Sequence, residues 1–126
     1  IEEIVSRMSK LVTGDGRRGC DMGPLVTLEH RDKVASYIEI AEKDGAKVVV
    51  DGRNPKVNGE PGGFWLGPTL IDKVPTTSKV YTEEIFGPVM SVFDFENEDE
   101  VINYRDRNNT FRKLKHKHRL KYKLIL

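Results

Sequence analysis

Glu83-Glu84-Ile85-Phe86-Gly87-Pro88-Val89 carries the most chemical content of any string in this 126-residue chain. Two adjacent carboxylates and an aromatic ring stand directly before a Gly-Pro turn and an apolar run. A carboxylate accepts hydrogen bonds from ribose hydroxyls, and a ring packs against a flat heterocycle. By residue type, either of the two carboxylates and the Phe86 ring could bind such a group. The plainer reading is a solvated loop in which Phe86 plugs the core.

Three other groupings carry less. Gly14-Asp15-Gly16-Arg17-Arg18-Gly19 spells G-x-G-x-x-G. A phosphate cradle needs a strand before the glycines and a helix opening inside them. Here a helical pattern precedes and Asp21-Met22-Gly23-Pro24 follows, so the segment reads as a loop. Cys20 would need a base or an electropositive site to become a nucleophile. Arg17 and Arg18 are near in sequence, but no His or Glu is paired with it, so Cys20 reads as an incidental loop cysteine. His116 and His118 lack a third ligand and read as members of a basic run, so no metal is expected. Asn108-Asn109-Thr110 fits a glycosylation pattern, which has no meaning without a secretion signal.

Composition bounds the rest. Hydrophobic residues are 37% and charged residues 33%, polar for a globular chain but not a disorder composition. No apolar run approaches the roughly 20 residues of a spanning helix, so no membrane segment is expected. The opening Glu2-Glu3 does not fit a signal peptide. One cysteine excludes an internal disulfide framework and suits a reducing, cytoplasmic-type setting. The net charge of +1 hides an asymmetry. Residues 1–104 hold 12 Lys and Arg against 19 Asp and Glu, a balance of −7. Residues 105–126 hold 9 against Asp106 alone, a balance of +8. An acidic body thus carries a basic tail.

The elements follow from periodicity. Ile1, Ile4, Val5, Met8 and Leu11 mark one face of a helix already running at residue 1, which reads as a helix cut through. Thr27 offers an N-cap oxygen, Val34, Tyr37, Ile38 and Ala41 form the stripe of a helix over about 28–44, and Gly45 is its C′ residue. Val48-Val49-Val50 predicts a buried strand, Phe64 to Val74 an extended segment bent at Gly67-Pro68, and Val89 to Phe95 a third strand. Asn97 with Glu100 resembles a capping box opening a helix that carries Val101 and Ile102. The order indicates an α/β class. In the tail, Lys113, Lys115, Lys117, Lys121 and Lys123 alternate with leucines and Tyr122 at strand spacing, but no turn signal pairs them with the body.

Several strings together resemble the aldehyde dehydrogenase superfamily. Glu83 to Val89 matches one of its most recognisable motifs. Asp21-Met22-Gly23-Pro24-Leu25 matches a loop ahead of a helix, and His30-Arg31-Asp32-Lys33-Val34 with Tyr37-Ile38 looks like that helix. Gly63-Phe64-Trp65-Leu66-Gly67-Pro68-Thr69-Leu70 matches the next strand, and the order is collinear over about residues 1–104. Val50-Asp51-Gly52-Arg53 and Gly67-Pro68-Thr69-Leu70-Ile71-Asp72 look most like the methylmalonate-semialdehyde dehydrogenase branch, which uses NAD and CoA.

The resemblance implies a fragment of the catalytic domain, with a Rossmann-like three-layer sheet. It implies NAD as cofactor, CoA as co-substrate, a small aldehyde as substrate and a homo-oligomeric parent. The family chemistry is thiohemiacetal formation on a cysteine, hydride transfer to NAD and release of the acyl group to CoA. Glu84 matches the residue that binds the nicotinamide ribose, and Phe86 the aromatic residue beside the nicotinamide. Glu83 is expected to be a solvated neighbour. Cys20 does not match the family nucleophile, so no catalytic residue is assigned and the isolated chain is expected to be inactive. It is also expected to be marginally stable, with Phe64, Trp65, Phe93 and Phe95 poorly covered.

The likeness ends after Asn103, where the charge also reverses. A shifted reading frame or a misjoined gene end explains both, and a recruited interaction tail is the rival. The alternative function is a non-enzymatic module whose tail, with Phe111 and Tyr122 among nine cations, engages nucleic acid or an acidic surface. Nucleic acid is not the expected partner, since a charge run is usually solvated. The expected location is the cytoplasm, or the mitochondrial matrix for a eukaryotic parent.

Overall fold

A computed structural model describes residues 1–59, 62–97 and 99–100 and the backbone of Tyr122–Ile125. In chain order the elements are α1 (Glu2–Met8), β1 (Thr13–Gly14), a 3-10 turn (Gly16–Arg18), α2 (Leu28–Lys43), β2 (Lys47–Val50), β3 (Val57–Asn58), β4 (Thr69–Asp72), α3 (Lys79–Thr82), β5 (Val89–Asp94) and β6 (Tyr122–Ile125).

The α2 boundaries have local causes. Thr27 Oγ1 accepts the His30 amide at 3.1 Å, satisfying one of the unpaired N–H groups at the helix start. At the other end, Ala46 N–H bonds to Ala41 O at 2.9 Å and Gly45 N–H to Glu42 O at 3.1 Å. That pair of bonds is a Schellman motif, and it requires the left-handed φ of +90° that Gly45 adopts without a Cβ clash.

The main sheet runs β2-β4-β5-β6. β4 is antiparallel to β2 and parallel to β5, so β4 and β5 occupy the centre. Alternation along these strands sends side chains to opposite faces. Leu70 and Val92 meet Met8, Ile4 and Val5 of α1 on one face. Ile71 and Val89 meet Val34, Tyr37, Ile38 and Ala41 of α2 on the other. Two helices covering two faces of a sheet make the three layers of an α/β fold. Fully burying an aliphatic side chain such as Ile38 contributes about 1.5–3 kcal/mol, so the α2 stripe is a principal source of cohesion.

Three details differ from the sequence expectation. Phe93 is buried, with its ring edge-to-face on Tyr81 at a centroid distance of 4.7 Å, whereas Phe64 is exposed and Trp65 and Phe95 are half-buried. The edge-to-face arrangement suits the ring quadrupoles. A small parallel pair, β1 with β3, and the single turn α3 lack any apolar periodicity long enough to be read beforehand.

The third difference concerns the tail. Its residues 122–125 pair antiparallel with β5, Asp94 opposite Tyr122 and Ser91 opposite Ile125. The strand spacing read in the tail is thus a strand at 122–125, and its pairing with the body comes without a turn signal. Strand pairing uses backbone groups and needs no adjacent turn, so a turn signal was the wrong test. Asn97 Oδ1 accepts the Glu100 amide at 3.0 Å, one half of a capping box, while Glu100 Oε2 accepts the Glu96 amide at 2.7 Å in place of the Asn97 amide. Val101, Ile102, Asn108-Asn109-Thr110, Phe111, His116 and His118 lie outside the described residues.

Candidate functional site

The segment between α3 and β5 is built from both ends. Ser78 Oγ accepts the Val80 amide at 3.2 Å and starts α3, and Glu83 N–H bonds to Lys79 O at 2.8 Å and ends it. Glu83 itself is extended, at φ −105° and ψ 151°. A turn closed by the Gly87 N–H on Ile85 O at 2.9 Å follows. Glu83 turns toward α2, Glu84 is exposed, Ile85 is buried in the α2 core and Phe86 is 73% exposed.

Each inward contact anchors the segment. The Tyr37 hydroxyl donates to Glu83 Oε2 at 2.5 Å. This bond, with burial behind it, pushes the Tyr37 phenol above its ordinary value because phenolate would face a carboxylate. His30 Nε2 lies 2.6 Å from Phe86 O. A carbonyl only accepts, so this nitrogen carries the proton and the bond selects the tautomer. A Cβ on Gly87 would come within 2.6 Å of Val34 Cγ1, so the chain passes α2 at a distance only glycine allows. Pro88 O accepts the Thr69 amide at 2.8 Å, which fastens the segment to β4.

One expectation is thereby corrected and another extended. Phe86 is not the core plug of the plainer reading: Ile85 is. Glu83 is exposed, as expected of a solvated neighbour, but Tyr37 also holds it. Glu84 has no hydrogen-bond or ion-pair partner among the described residues and stands beside the exposed Phe86 ring. The sequence reading missed His30 and Tyr37 as contributors. With Val34 they lie at i, i+4 and i+7, one helical face, and Tyr37 passed as a member of the apolar stripe.

The glycine-rich loop offers no comparable display. Asp15 caps the 3-10 turn, accepting the Arg17 amide at 2.9 Å and the Arg17 guanidinium at 2.7 Å. These bonds hold its carboxyl down at about 2. Gly14 has no room for a Cβ because Asn58 O would lie 2.3 Å away. Its glycine serves a backbone crossing rather than a phosphate. Cys20 Sγ lies 3.9 Å from Asn58 O, and no base hydrogen-bonds to it among the described residues.

The two strings that suggested a particular branch are brought together. Gly67 N–H bonds to Gly52 O at 2.8 Å, and Gly52 N–H to Thr69 Oγ1 at 3.0 Å. A Cβ on Gly52 would fall 2.0 Å from Gly67 O. Arg53 reaches Asp51 at 2.6 Å and Glu42 at 2.8 Å, and both carboxylates stabilise its charged form, Asp51 the more. These residues join β2, β4 and α2, so the fold accounts for their places.

The family model for the Aldehyde dehydrogenase family matches residues 1–110. A betaine aldehyde dehydrogenase of Brucella ovis is 45% identical over 103 residues, covering 81% of this chain and 21% of that protein. The crystal structure of methylmalonate-semialdehyde dehydrogenase from Oceanimonas doudoroffii superposes with a TM-score of 0.79 at 42% identity, over 83% of this chain and 22% of that one. A betaine aldehyde dehydrogenase from Staphylococcus aureus in complex with NAD+ superposes with a TM-score of 0.75 at 35% identity, over 82% and 21% respectively. The chain thus spans about a fifth of the length of these relatives. No helix among the described residues is long and apolar enough to cross a membrane. With the match running through both the Glu83–Val89 segment and the helix that anchors it, this chain belongs to the aldehyde dehydrogenase family.

Proposed function

We propose that this chain is the part of an NAD-dependent aldehyde dehydrogenase that receives the nicotinamide end of the cofactor. One observation carries the reading: Glu84, a carboxylate without a partner among the described residues, stands beside a 73% exposed Phe86 on an anchored segment. The residues fit the group. A free carboxylate accepts from two ribose hydroxyls, and an exposed ring packs on a planar heterocycle. When bound, NAD supplies the hydride acceptor. Glu84 and Phe86 contribute by orientation, not by proton transfer, holding the ring in the geometry the transfer needs.

The finer reading is a semialdehyde substrate of the methylmalonate or malonate type, with CoA accepting the acyl group. The 42% identity to the Oceanimonas enzyme supports it. The similarity to betaine aldehyde dehydrogenases supports the competing aldehyde. A soluble homo-oligomeric parent in the cytoplasm completes the proposal. Residues 105–126 form a basic tail of different origin, which the charge reversal supports, while the family match, running to residue 110, favours a later boundary. Reading the flanking DNA in all three frames tests that boundary.

The deciding experiment is steady-state NADH formation by the full-length parent with methylmalonate semialdehyde and CoA, and separately with betaine aldehyde. Turnover on the first with acyl-CoA as product is expected. Unchanged NAD kinetics in both Glu84→Gln and Phe86→Ala would overturn the site itself.

A further inference from the structure

We infer that His30 and Tyr37 are positioning residues for cofactor binding, holding the 83–86 segment by its two ends so that only one of two adjacent carboxylates faces the nicotinamide ribose. The inference rests on the reading of Glu84 and Phe86 given above.

The geometry has three parts. His30 and Tyr37 lie two turns apart on the face of α2 that carries Val34 between them. Tyr37 binds the Glu83 carboxylate at 2.5 Å, and His30 binds the Phe86 carbonyl at 2.6 Å. Between these points Ile85 enters the core, so inward contacts at 83, 85 and 86 leave the Glu84 carboxylate and Phe86 ring directed away. A segment of two carboxylates in succession can reverse its presentation by one residue of slip. The Tyr37 hydroxyl holds whichever carboxylate is inward, and Ile85 in the core makes that carboxylate Glu83. The His30 ring opposes the slip at the other end, because the Phe86 carbonyl must stay on the α2 side. Neither side chain needs to touch the cofactor.

The test uses the full-length parent enzyme and the variants Tyr37→Phe, His30→Ala, His30→Gln and Glu84→Gln. Tyr37→Phe keeps the ring in its packing and removes only the donor. His30→Gln retains an N–H donor. Tyr37→Phe and His30→Ala are expected to raise KM for NAD by about 3- to 10-fold, the scale of one lost hydrogen bond. The aldehyde KM stays unchanged, single-turnover hydride transfer at saturating NAD slows less than in Glu84→Gln, and His30→Gln recovers part of the loss. Tyr37→Phe combined with Glu83→Ala is expected to be no worse than Glu83→Ala alone, since both remove the same bond. A fall in melting midpoint with unchanged NAD constants would make both residues merely structural and overturn the inference. If Glu84→Gln impairs NAD handling while Tyr37→Phe and His30→Ala do not, the positioning inference alone fails. If Glu84→Gln also leaves NAD handling unchanged, the site reading fails with it.

Discussion

The loop at residues 14–23 and the segment at 83–88 both bring carboxylates and glycines together, and they use them in opposite ways. In the first, Asp15 closes on Arg17 two residues away, and the charge is consumed within the turn. In the second, Glu83 is held by a residue 46 positions away, and its neighbour Glu84 is left free among the described residues. The glycines differ likewise. Gly16 has open space around it, whereas Gly87 lies against the buried Val34. A motif-like string satisfied by its own residues has nothing left to offer a ligand. A string anchored from other elements can keep a polar group unpaired at little local cost, because the anchors hold the backbone.

The largest expected effect is at Glu84. Losing a hydrogen bond to a charged group costs about 1.5–3 kcal/mol. If fully expressed in the transition state, that slows the hydride step by about 10- to 150-fold. Glu84→Gln should show this in single-turnover hydride transfer by the full-length parent. Glu83→Gln should be milder, acting only through the Tyr37 contact. An equal or larger effect at Glu83 would reverse the two carboxylates.

Next in size is Gly87→Ala. Forcing a methyl against Val34 is an overpacking change of about 1–3 kcal/mol. Gly16→Ala in the other loop should stay within about 0.5 kcal/mol. Urea midpoints of the two variants in the parent decide it, and equal losses would remove the contrast between an anchored and a free segment.

The pH responses should also run in opposite directions. Asp15 is lowered from 3.8 to about 2, so its bonds to Arg17 are present above the unfolded value and are lost as pH falls through about 2. Tyr37 is raised above 10.0, so the bond to Glu83 is intact below that value and is lost as pH rises through the folded one. An ultraviolet phenolate titration of wild type against Tyr37→Phe should lose one tyrosine that ionises above the ordinary phenol value. A tyrosine that ionises early and vanishes in the variant would contradict the anchor. The smallest effect expected is at Cys20. The isolated chain should form no NADH, and Cys20→Ser should leave the parent's turnover unchanged, because no base activates that thiol among the described residues. Turnover by the isolated chain that Cys20→Ser abolishes would make the first loop the reactive one.

Much of this was written locally. The α2 helix follows from Thr27, its four-residue stripe and Gly45, since cap, periodicity and left-handed stop all lie within the helix and its flanks. The valine strand, half-buried rather than buried, and the strand after Pro88 follow from β-branched runs, and the residue types of the Glu83–Val89 string made it the candidate site. What the string left undecided was its phase. Which of Glu83 and Glu84 is free, and whether Ile85 or Phe86 enters the core, depends on partners 46 and 56 residues away. The same is true of Gly52 against Gly67 and of the tail strand on β5. Local sequence determines which conformations a segment favours. The side of an extended segment that faces inward is set by whatever packs against it, and that partner is chosen only when the chain folds back on itself.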